Sequence, residues 1–225
     1  MLELSRRTIP ADLDVTVNKR WDKYRFVGRE LRGKTLGILG FGRIGQRVGE
    51  LGRAFLMNVV AYDPFLPAHV FEEQHAQSLS IAEVLRVSDF VTIHMPLTDE
   101  TRHMFNAESL ASMKPDAVVL NMARGGIVDE KAMYEALKAG KIGGYATDVM
   151  EDELAEGGLT EDASMDSPLF ECDNFIVTPH LGAQTVDASR DVGNYIIDKV
   201  NIYGDQPDSL SLLDHGWIQC YAQDN

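Results

Sequence analysis

The sequence predicts a doubly wound α/β domain, in which helices cover both faces of a parallel β-sheet. From residue 34 onward, short runs rich in Val, Ile and Leu alternate with amphipathic segments. The runs are apolar almost throughout, which is typical of strands that are buried on both faces. The first run leads directly into a glycine-rich turn and a helical pattern, as is usual in this class of domain.

Six segments are predicted as strands because they are short, apolar and rich in β-branched residues. They are 34–40, 58–63, 89–94, 116–121, 142–149 and 174–180. Apolar residues at helical spacing indicate three of the helices that lie between or after these strands. These residues are Ile44, Val48, Leu51 and Phe55, then Ala132, Met133, Ala136 and Leu137, and finally Val192, Ile196, Val200 and Tyr203.

Local signals mark where two of the helices begin or end. Ser80 and Glu83, in the motif SIAE, have the spacing of a capping box that opens a helix. Asp129 is the expected N-cap of the helix that contains the second apolar stripe, and Gly140 is its expected end.

The length of 225 residues, with 44% hydrophobic residues, allows one full core. The final helix is expected to end at Gly204. The predicted main domain therefore covers residues 1–204, beginning with a helical lead-in at 1–33 and followed by a tail at 205–225.

Composition argues against several classes of partner. The formal net charge of −14 disfavours binding to nucleic acid, and the acid excess is concentrated in residues 151–166, which are expected to form an exposed loop. No apolar stretch reaches the roughly 18 residues that a membrane span needs, and the first residues lack the pattern of a signal peptide, so a cytoplasmic protein is expected. Cys172 and Cys220 lack the spacing of a disulfide framework or a metal site, and no metal is expected.

The turn after the first strand has the pattern of a dinucleotide-binding loop. Gly40, Gly42 and Gly45 stand in GxGxxG register, with Arg43 and Ile44 inside the motif. The glycines allow a tight turn, close approach of a pyrophosphate and close helix–strand packing, while the helix N-terminus attracts the anion. The alternative is that the glycines only fit a tight turn.

Asp63 ends the second predicted strand, 23 residues after Gly40. A carboxylate there can accept hydrogen bonds from an adenosine ribose and would repel a 2′-phosphate. The sequence therefore predicts a Rossmann-type domain that binds NAD in preference to NADP. The alternative is that Asp63 caps a loop.

Three charged or titratable residues follow the ends of later strands: Arg124, Glu153 and His180. Because ligands bind at the carboxyl ends of parallel strands, these residues are expected to share one cleft. Arginine can clamp a carboxylate, and histidine beside a carboxylate can act as an acid and a base near neutral pH. Each residue also has a structural alternative: an ion pair for Arg124, a loop hydrogen bond for His180 and one charge among many for Glu153.

Four motifs together resemble the cofactor domain of the D-2-hydroxyacid dehydrogenases. They are GRELRGKTLGILGFGRIGQRVG, SDFVTIHMPLTDETRHMFN, LNMARGGIVDEKAMYEALKAGKIGGYATDV and VTPHLGAQT. The resemblance runs from about Trp21 to Lys199, and its heptapeptide PHLGAQT is most similar to that of phosphoglycerate dehydrogenases, with glyoxylate and hydroxypyruvate reductases close to it.

This resemblance implies a role for each matching residue. Arg124 would bind the carboxylate of a 2-keto or 2-hydroxy acid, His180 would be the general acid and base, and Glu153 would keep His180 protonated. The implied cofactor-binding residues, beside the glycine motif, Asp63 and His180, lie at strand ends or in the loops beyond them. They are His94, Pro96, Thr101, Met122 and Asp148.

The chain also departs from the family pattern. Leu154 follows Glu153 where the family has Pro, and the substrate domain that closes the cleft is absent from the sequence. We therefore expect a fragment of a longer NAD-dependent oxidoreductase, with 3-phosphoglycerate as one candidate substrate and a homodimer built through the cofactor domain. The alternatives are an NAD-sensing interaction module of the corepressor type, without turnover, and a degenerate domain that binds nothing.

Overall fold

The computed structural model describes residues 1–151 and 166–203, with side chains up to residue 198. The chain divides into two compact units, Met1–Val177 and Thr178–Asn225. The first unit contains the β-sheet, and the second contains the helix Val186–Tyr203, which we call α8. Glu153, most of the acidic segment and the tail at 205–225 lie outside the described residues, and the predicted domain boundary at Gly204 stays a prediction.

The sheet has seven parallel strands in the part of the chain that is described. They are β1 (Thr35–Leu39), β2 (Asn58–Tyr62), β3 (Gln77–Ser78), β4 (Phe90–Ile93), β5 (Val118–Asn121), β6 (Gly144–Thr147) and β7 (Phe175–Val177). Their order is β3-β2-β1-β4-β5-β6-β7, so the direction of winding reverses between β1 and β4. This confirms the predicted doubly wound sheet and all six predicted strands.

Helices cover both faces of the sheet. The helices of the first unit are α1 (Leu2–Arg6), α2 (Thr8–Thr16), α3 (Arg43–Ala54), α4 (Ala68–Glu73), α5 (Ile81–Val87), α6 (Ala107–Ser112) and α7 (Glu130–Lys138). Buried residues of α5, α6 and α7 share one apolar core with one face of the strands, while α4 contributes Phe71 to a second core on the other face. The segment predicted as a helical lead-in contains α1, α2 and a 3₁₀ turn at Lys23–Phe26.

The predicted helix caps are present. Ser80 and Glu83 form a reciprocal capping box at the start of α5. The Asp129 side chain accepts a hydrogen bond from the Ala132 N–H at 2.9 Å, which caps α7. Gly140 follows the end of α7 and has a positive φ of 65°, a conformation that glycine adopts without strain.

The helix α3 packs on the sheet mainly through glycines, and of the apolar stripe that predicted it Val48 packs against the core. Gly45, Gly49 and Gly52 are buried, and a Cβ at Gly52 would lie 2.6 Å from the Leu36 side chain. Ile44 and Leu51, by contrast, are 46% and 50% exposed. Helix and sheet are therefore close enough that only glycine fits between them.

Side chains alternate between the two faces along each strand. In β5, Val118 and Leu120 belong to the core on one face, and Val119 belongs to the core that α5, α6 and α7 cover. Asn121 has the same parity as Val119 and is fully buried. A polar amide is thus buried at the carboxyl end of an otherwise apolar strand.

Two general features bear on function. None of the helices within 1–151 and 166–203 has the length and apolar character needed to cross a bilayer. Over the same residues, no cluster of three or more His, Cys, Asp or Glu side chains could hold a metal ion.

Candidate active site

The glycine turn between β1 and α3 requires glycine at two positions and leaves space at a third. Gly40 has a φ of 89°, and a Cβ there would lie 2.7 Å from the carbonyl carbon of His94. A Cβ at Gly45 would lie 2.2 Å from the Gly40 carbonyl oxygen. At Gly42, no atom lies within 4 Å of the position a Cβ would take. The open backbone at Gly42 fits the close approach of a pyrophosphate at the start of a helix.

Asp63 is tied to this turn by both carboxylate oxygens. Oδ2 accepts a hydrogen bond from the Phe41 N–H at 2.8 Å, and Oδ1 accepts one from the Phe65 N–H at 3.0 Å. An ionised carboxylate has about four acceptor sites, so it can still accept hydrogen bonds from ribose hydroxyls. Asp63 therefore caps a loop, as the structural alternative holds, and also has the capacity for the predicted role.

His94 lies at the carboxyl end of β4, across the winding reversal from Gly40. Its N–H donates to the Leu39 carbonyl at 2.7 Å, and its Nε2 lies 3.0 Å from the Thr92 hydroxyl. Burial lowers the pKa of His94 to about 4, so its imidazole is neutral near pH 7. His94, which the sequence predicts to bind the cofactor, is thus an uncharged residue packed beside the glycine turn.

Pro96 and Thr101 belong to the loop that follows His94. The Thr101 hydroxyl donates to the Pro96 carbonyl at 2.8 Å and accepts from the Thr98 N–H at 2.7 Å. Thr101 therefore fixes the shape of this loop, and direct contact of either residue with a cofactor stays a prediction.

Arg124 is exposed just beyond the carboxyl end of β5, and its Nη1 donates to the Ala123 carbonyl at 2.7 Å. Its backbone is extended, with a φ of −145°. Met122, in the same loop, is 44% exposed. A Cβ at Gly125 would lie 2.1 Å from the Met150 carbonyl oxygen, so this loop packs tightly on the one that follows β6.

Asp148 follows β6 directly and is 8% exposed. Its N–H donates to the Asn121 carbonyl at 3.1 Å, which joins the loop that contains Asp148 to the loop that contains Arg124. Sequence reasoning missed Asn121, although a single polar residue closing the apolar run VVLN was a visible signal. Further along, Glu151 pairs with His103 and donates its N–H to Glu130 at 2.7 Å.

The remaining predicted residues are placed as follows. Arg43 begins α3 with an exposed side chain, and the adjacent Ile44 is partly exposed. His180 belongs to the second unit, three residues after the end of β7, where it has a φ of 52° and donates its N–H to the Thr178 carbonyl at 3.0 Å. The convergence of Arg124, Glu153 and His180 on one cleft stays a prediction.

Comparison with known proteins gives the family. Residues 1–182 match the family described as "D-isomer specific 2-hydroxyacid dehydrogenase, NAD binding domain". The chain belongs to this family. Its glycine turn, Asp63 and Arg124 all lie within the matched NAD-binding domain.

The relatives that match this chain are named for more than one enzyme activity. The chain is 44% identical to D-3-phosphoglycerate dehydrogenase of Methanocaldococcus jannaschii, over 86% of the chain and 36% of that protein. It is 38% identical to hydroxypyruvate reductase of Thermotoga maritima, over 89% of the chain and 62% of that protein. The chain therefore spans about a third of the first relative and less than two thirds of the second.

Solved structures share the fold. D-lactate dehydrogenase of Aquifex aeolicus, complexed with NAD and lactic acid, superposes with a TM-score of 0.77 at 34% identity. The match covers 91% of this chain and 64% of the lactate dehydrogenase. The sheet and the helices α1 to α7 lie within residues 1–182 and are thus those of the family's NAD-binding domain.

Proposed function

We propose that this chain is the cofactor domain of an NAD-dependent oxidoreductase that interconverts D-2-hydroxy acids and 2-keto acids. The observation that carries the proposal is the placement of Arg124 and the Gly40 turn at the same edge of one sheet. They follow β5 and β1, which both neighbour β4. Adjacent strands are about 4.8 Å apart, so the two strand ends are separated by about 10 Å along the edge.

The glycine turn and Asp63 would hold the dinucleotide, with its pyrophosphate at the open backbone of Gly42 and its ribose at the Asp63 carboxylate. When it is bound, NAD supplies the acceptor or the donor of the hydride. The imidazole of His94 is neutral, so it adds no positive charge beside the dinucleotide site. Asp148 is proposed to bind the carboxamide of the nicotinamide.

The exposed guanidinium of Arg124 is proposed to bind the substrate carboxylate, because its planar pair of N–H donors matches two carboxylate oxygens. An imidazole nitrogen of His180 is proposed to give a proton to the keto oxygen during reduction and to take it back during oxidation. The Glu153 carboxylate would favour the protonated imidazole. These roles rest on the family motifs and on the position of each residue after a strand.

We propose a narrower range of substrates than the 2-hydroxy and 2-keto acids of the family as a whole. A phosphoglycerate dehydrogenase relative at 44% identity and the motif PHLGAQT support 3-phosphoglycerate as the first candidate. A hydroxypyruvate reductase at 38% identity makes hydroxypyruvate the main competitor. The test is an NADH oxidation screen of the complete gene product against pyruvate, hydroxypyruvate, glyoxylate and phosphohydroxypyruvate.

The same assay tests Arg124 when it is combined with NADH titrations. Arg124→Ala should lower kcat/KM for the best keto acid about 100-fold, while the Kd for NADH changes by less than about threefold. Arg86→Ala is the matched control, since Arg86 is exposed near the end of α5, close to the amino end of β4. Equal losses of turnover and NADH affinity in Arg124→Ala would refute the proposal that Arg124 binds the substrate carboxylate.

The same measurements on the wild type separate the rival functions. NADH binding with NADH-dependent association but no turnover would favour the interaction module. No heat of NADH binding would favour a degenerate domain.

We also propose a homodimer and a cytoplasmic location. Large apolar side chains are exposed in and after α2, including Leu13 at 50%, Val17 at 67% and Trp21 at 89%, which is the kind of surface that association covers. Trp21→Ser should reduce the mass measured by sedimentation to that of a monomer. Phe65→Ser is the control, because Phe65 is 90% exposed outside this surface, and a dimer that survives Trp21→Ser would contradict the assignment.

The proposed cytoplasmic location is supported by Cys172, a buried free thiol, because free thiols are typical of a reducing compartment.

A further inference from the structure

The buried side chain of Asn121 closes the loop that leads to Arg124. Its Nδ2 donates to the Arg124 carbonyl at 2.8 Å, and its Oδ1 accepts from the Ala123 N–H at 3.2 Å. The residue is fully buried. Both ends of the amide are therefore used on the backbone of the arginine loop, where water cannot replace them.

The main-chain carbonyl of Asn121 makes a second set of contacts. It accepts from the Asp148 N–H at 3.1 Å and from the Thr147 hydroxyl at 3.3 Å. Asn121 and Thr147 are register partners in β5 and β6. One residue thus joins the loop that contains Arg124 to the start of the loop that follows β6.

The bonds to Ala123 and Arg124 matter for the guanidinium. Beyond β5 the chain leaves the sheet, and Arg124 is extended before the 3₁₀ turn Gly125–Ile127. The guanidinium itself binds the Ala123 carbonyl, whose peptide group lies between the two that Asn121 fixes, so Asn121 holds the chain on either side of the group that positions the arginine side chain. A shift of about 1 Å in a clamp can cost about 100-fold in rate, because the reacting groups lose alignment.

We infer that Asn121 is a positioning residue for substrate binding, which acts through the backbone of Arg124 and does not touch the substrate. The inference rests on the proposed function, because it assigns Arg124 the substrate carboxylate. If Asn121 were only structural, its substitution would lower stability and weaken the binding of every ligand to a similar degree. A positioning Asn121 affects the keto acid far more than NADH, because its side-chain bonds, which a substitution changes, go to the backbone of Ala123 and Arg124. Its bond to Asp148, the proposed partner of the carboxamide, is made by the main-chain carbonyl, which every variant keeps.

Two substitutions separate the contributions of the amide. Asn121→Asp keeps the shape but places a carboxylate oxygen against the Arg124 carbonyl in place of the donor. Asn121→Ser loses the bond to Arg124, while its hydroxyl can still accept from the N–H two residues on, and it provides the test should Asn121→Asp not fold. Asn174→Asp is the matched control. Asn174 stands at the amino end of β7, where its Nδ2 donates to the Gly143 carbonyl at 3.3 Å.

The experiment measures KM and kcat for the best keto acid, the Kd for NADH and the Tm of the complete gene product. We expect Asn121→Asp to raise KM about 30-fold and Asn121→Ser to raise it about 10-fold, with the Kd for NADH within about threefold of wild type. Asn174→Asp should leave KM unchanged. Wild-type KM in either Asn121 variant, or parallel losses in KM, NADH affinity and Tm, would overturn the inference. Absence of turnover in the wild type with all four keto acids would instead refute the proposed function, and the inference would fall with it.

Discussion

Gly40 lies against the backbone of His94 so closely that a Cβ would come within 2.7 Å of the His94 carbonyl carbon and oxygen. This contact joins the ends of β1 and β4 where the winding of the sheet reverses, which is the place where ligands bind in sheets of this kind. A side chain at Gly40 would push the two strand ends apart and deform the turn on which the dinucleotide depends.

Gly40→Ala should therefore lower NADH affinity at least about 10-fold and lower stability by more than conformational strain alone. Strain at a positive φ costs about 1–2 kcal/mol for a residue with a Cβ. Gly33→Ala isolates this cost, because Gly33 has a φ of 75° with no atom within 4 Å of its Cβ position. Calorimetric NADH titration and thermal unfolding measure both effects. If Gly40→Ala and Gly33→Ala lose the same NADH affinity and stability, the contact with His94 accommodates a Cβ without further cost.

Asp63→Asn tests the carboxylate that holds the glycine turn. The amide keeps one acceptor, but its NH₂ group would face a backbone N–H of Phe41 or Phe65, and the charge that repels a 2′-phosphate is lost. The ratio of NADPH to NADH affinity should rise at least about 10-fold, as measured by fluorescence titration. Asp22→Asn is the control, since Asp22 also accepts a loop N–H, from Tyr24 at 3.1 Å. An unchanged ratio would remove Asp63 from cofactor selection.

The fold could be predicted from the sequence where one segment carries its own signal. The six apolar strands and the caps at Ser80 and Asp129 are local patterns, and the structure confirms them. The strand β3 has only two residues, which is too short to show a period. The buried side of α3 was not predictable from its apolar stripe, because Gly49 and Gly52 carry no side chain that a hydrophobic pattern could register.

The candidate site divides in the same way. The glycine turn and Asp63 follow a spacing that can be read along the chain, and both are found at the carboxyl ends of β1 and β2. Asn121 could not be assigned a role, because its partners depend on how the loop folds back and on the register between β5 and β6. Tertiary contacts of this kind leave no periodic trace in a single sequence.

Tyr145→Phe removes a hydroxyl that is buried in the core beside β5. The Tyr145 hydroxyl makes no hydrogen bond of good geometry within the part of the chain that is described, although the side chains of Thr147 and Asn121 lie close enough to interact with it, and burial raises the pKa of this phenol. Because an unsatisfied buried hydroxyl is costly, the free energy of unfolding should stay level or rise by up to about 1 kcal/mol in urea titrations. Tyr134→Phe is the control, since the Tyr134 hydroxyl reaches the exposed Glu171 carboxylate at 3.5 Å. A loss above about 1 kcal/mol in Tyr145→Phe would instead show that the hydroxyl bonds to Thr147, to Asn121 or to a buried water.

His94 should make the stability of the domain depend on pH in the mildly acidic range. Burial lowers the pKa of His94 from 6.5 to about 4, so between these values the unfolded chain binds a proton that the folded chain does not. The stabilisation is complete above about pH 6.5 and is lost as the pH falls towards 4, by up to about 3 kcal/mol. His94→Gln cannot bind this proton, so its free energy of unfolding, measured in urea at several pH values, should fall less steeply than that of the wild type. His69→Gln should follow the wild type, because His69 is exposed on α4. Parallel pH profiles for His94→Gln and the wild type would mean that His94 can be protonated without leaving its place beside Thr92.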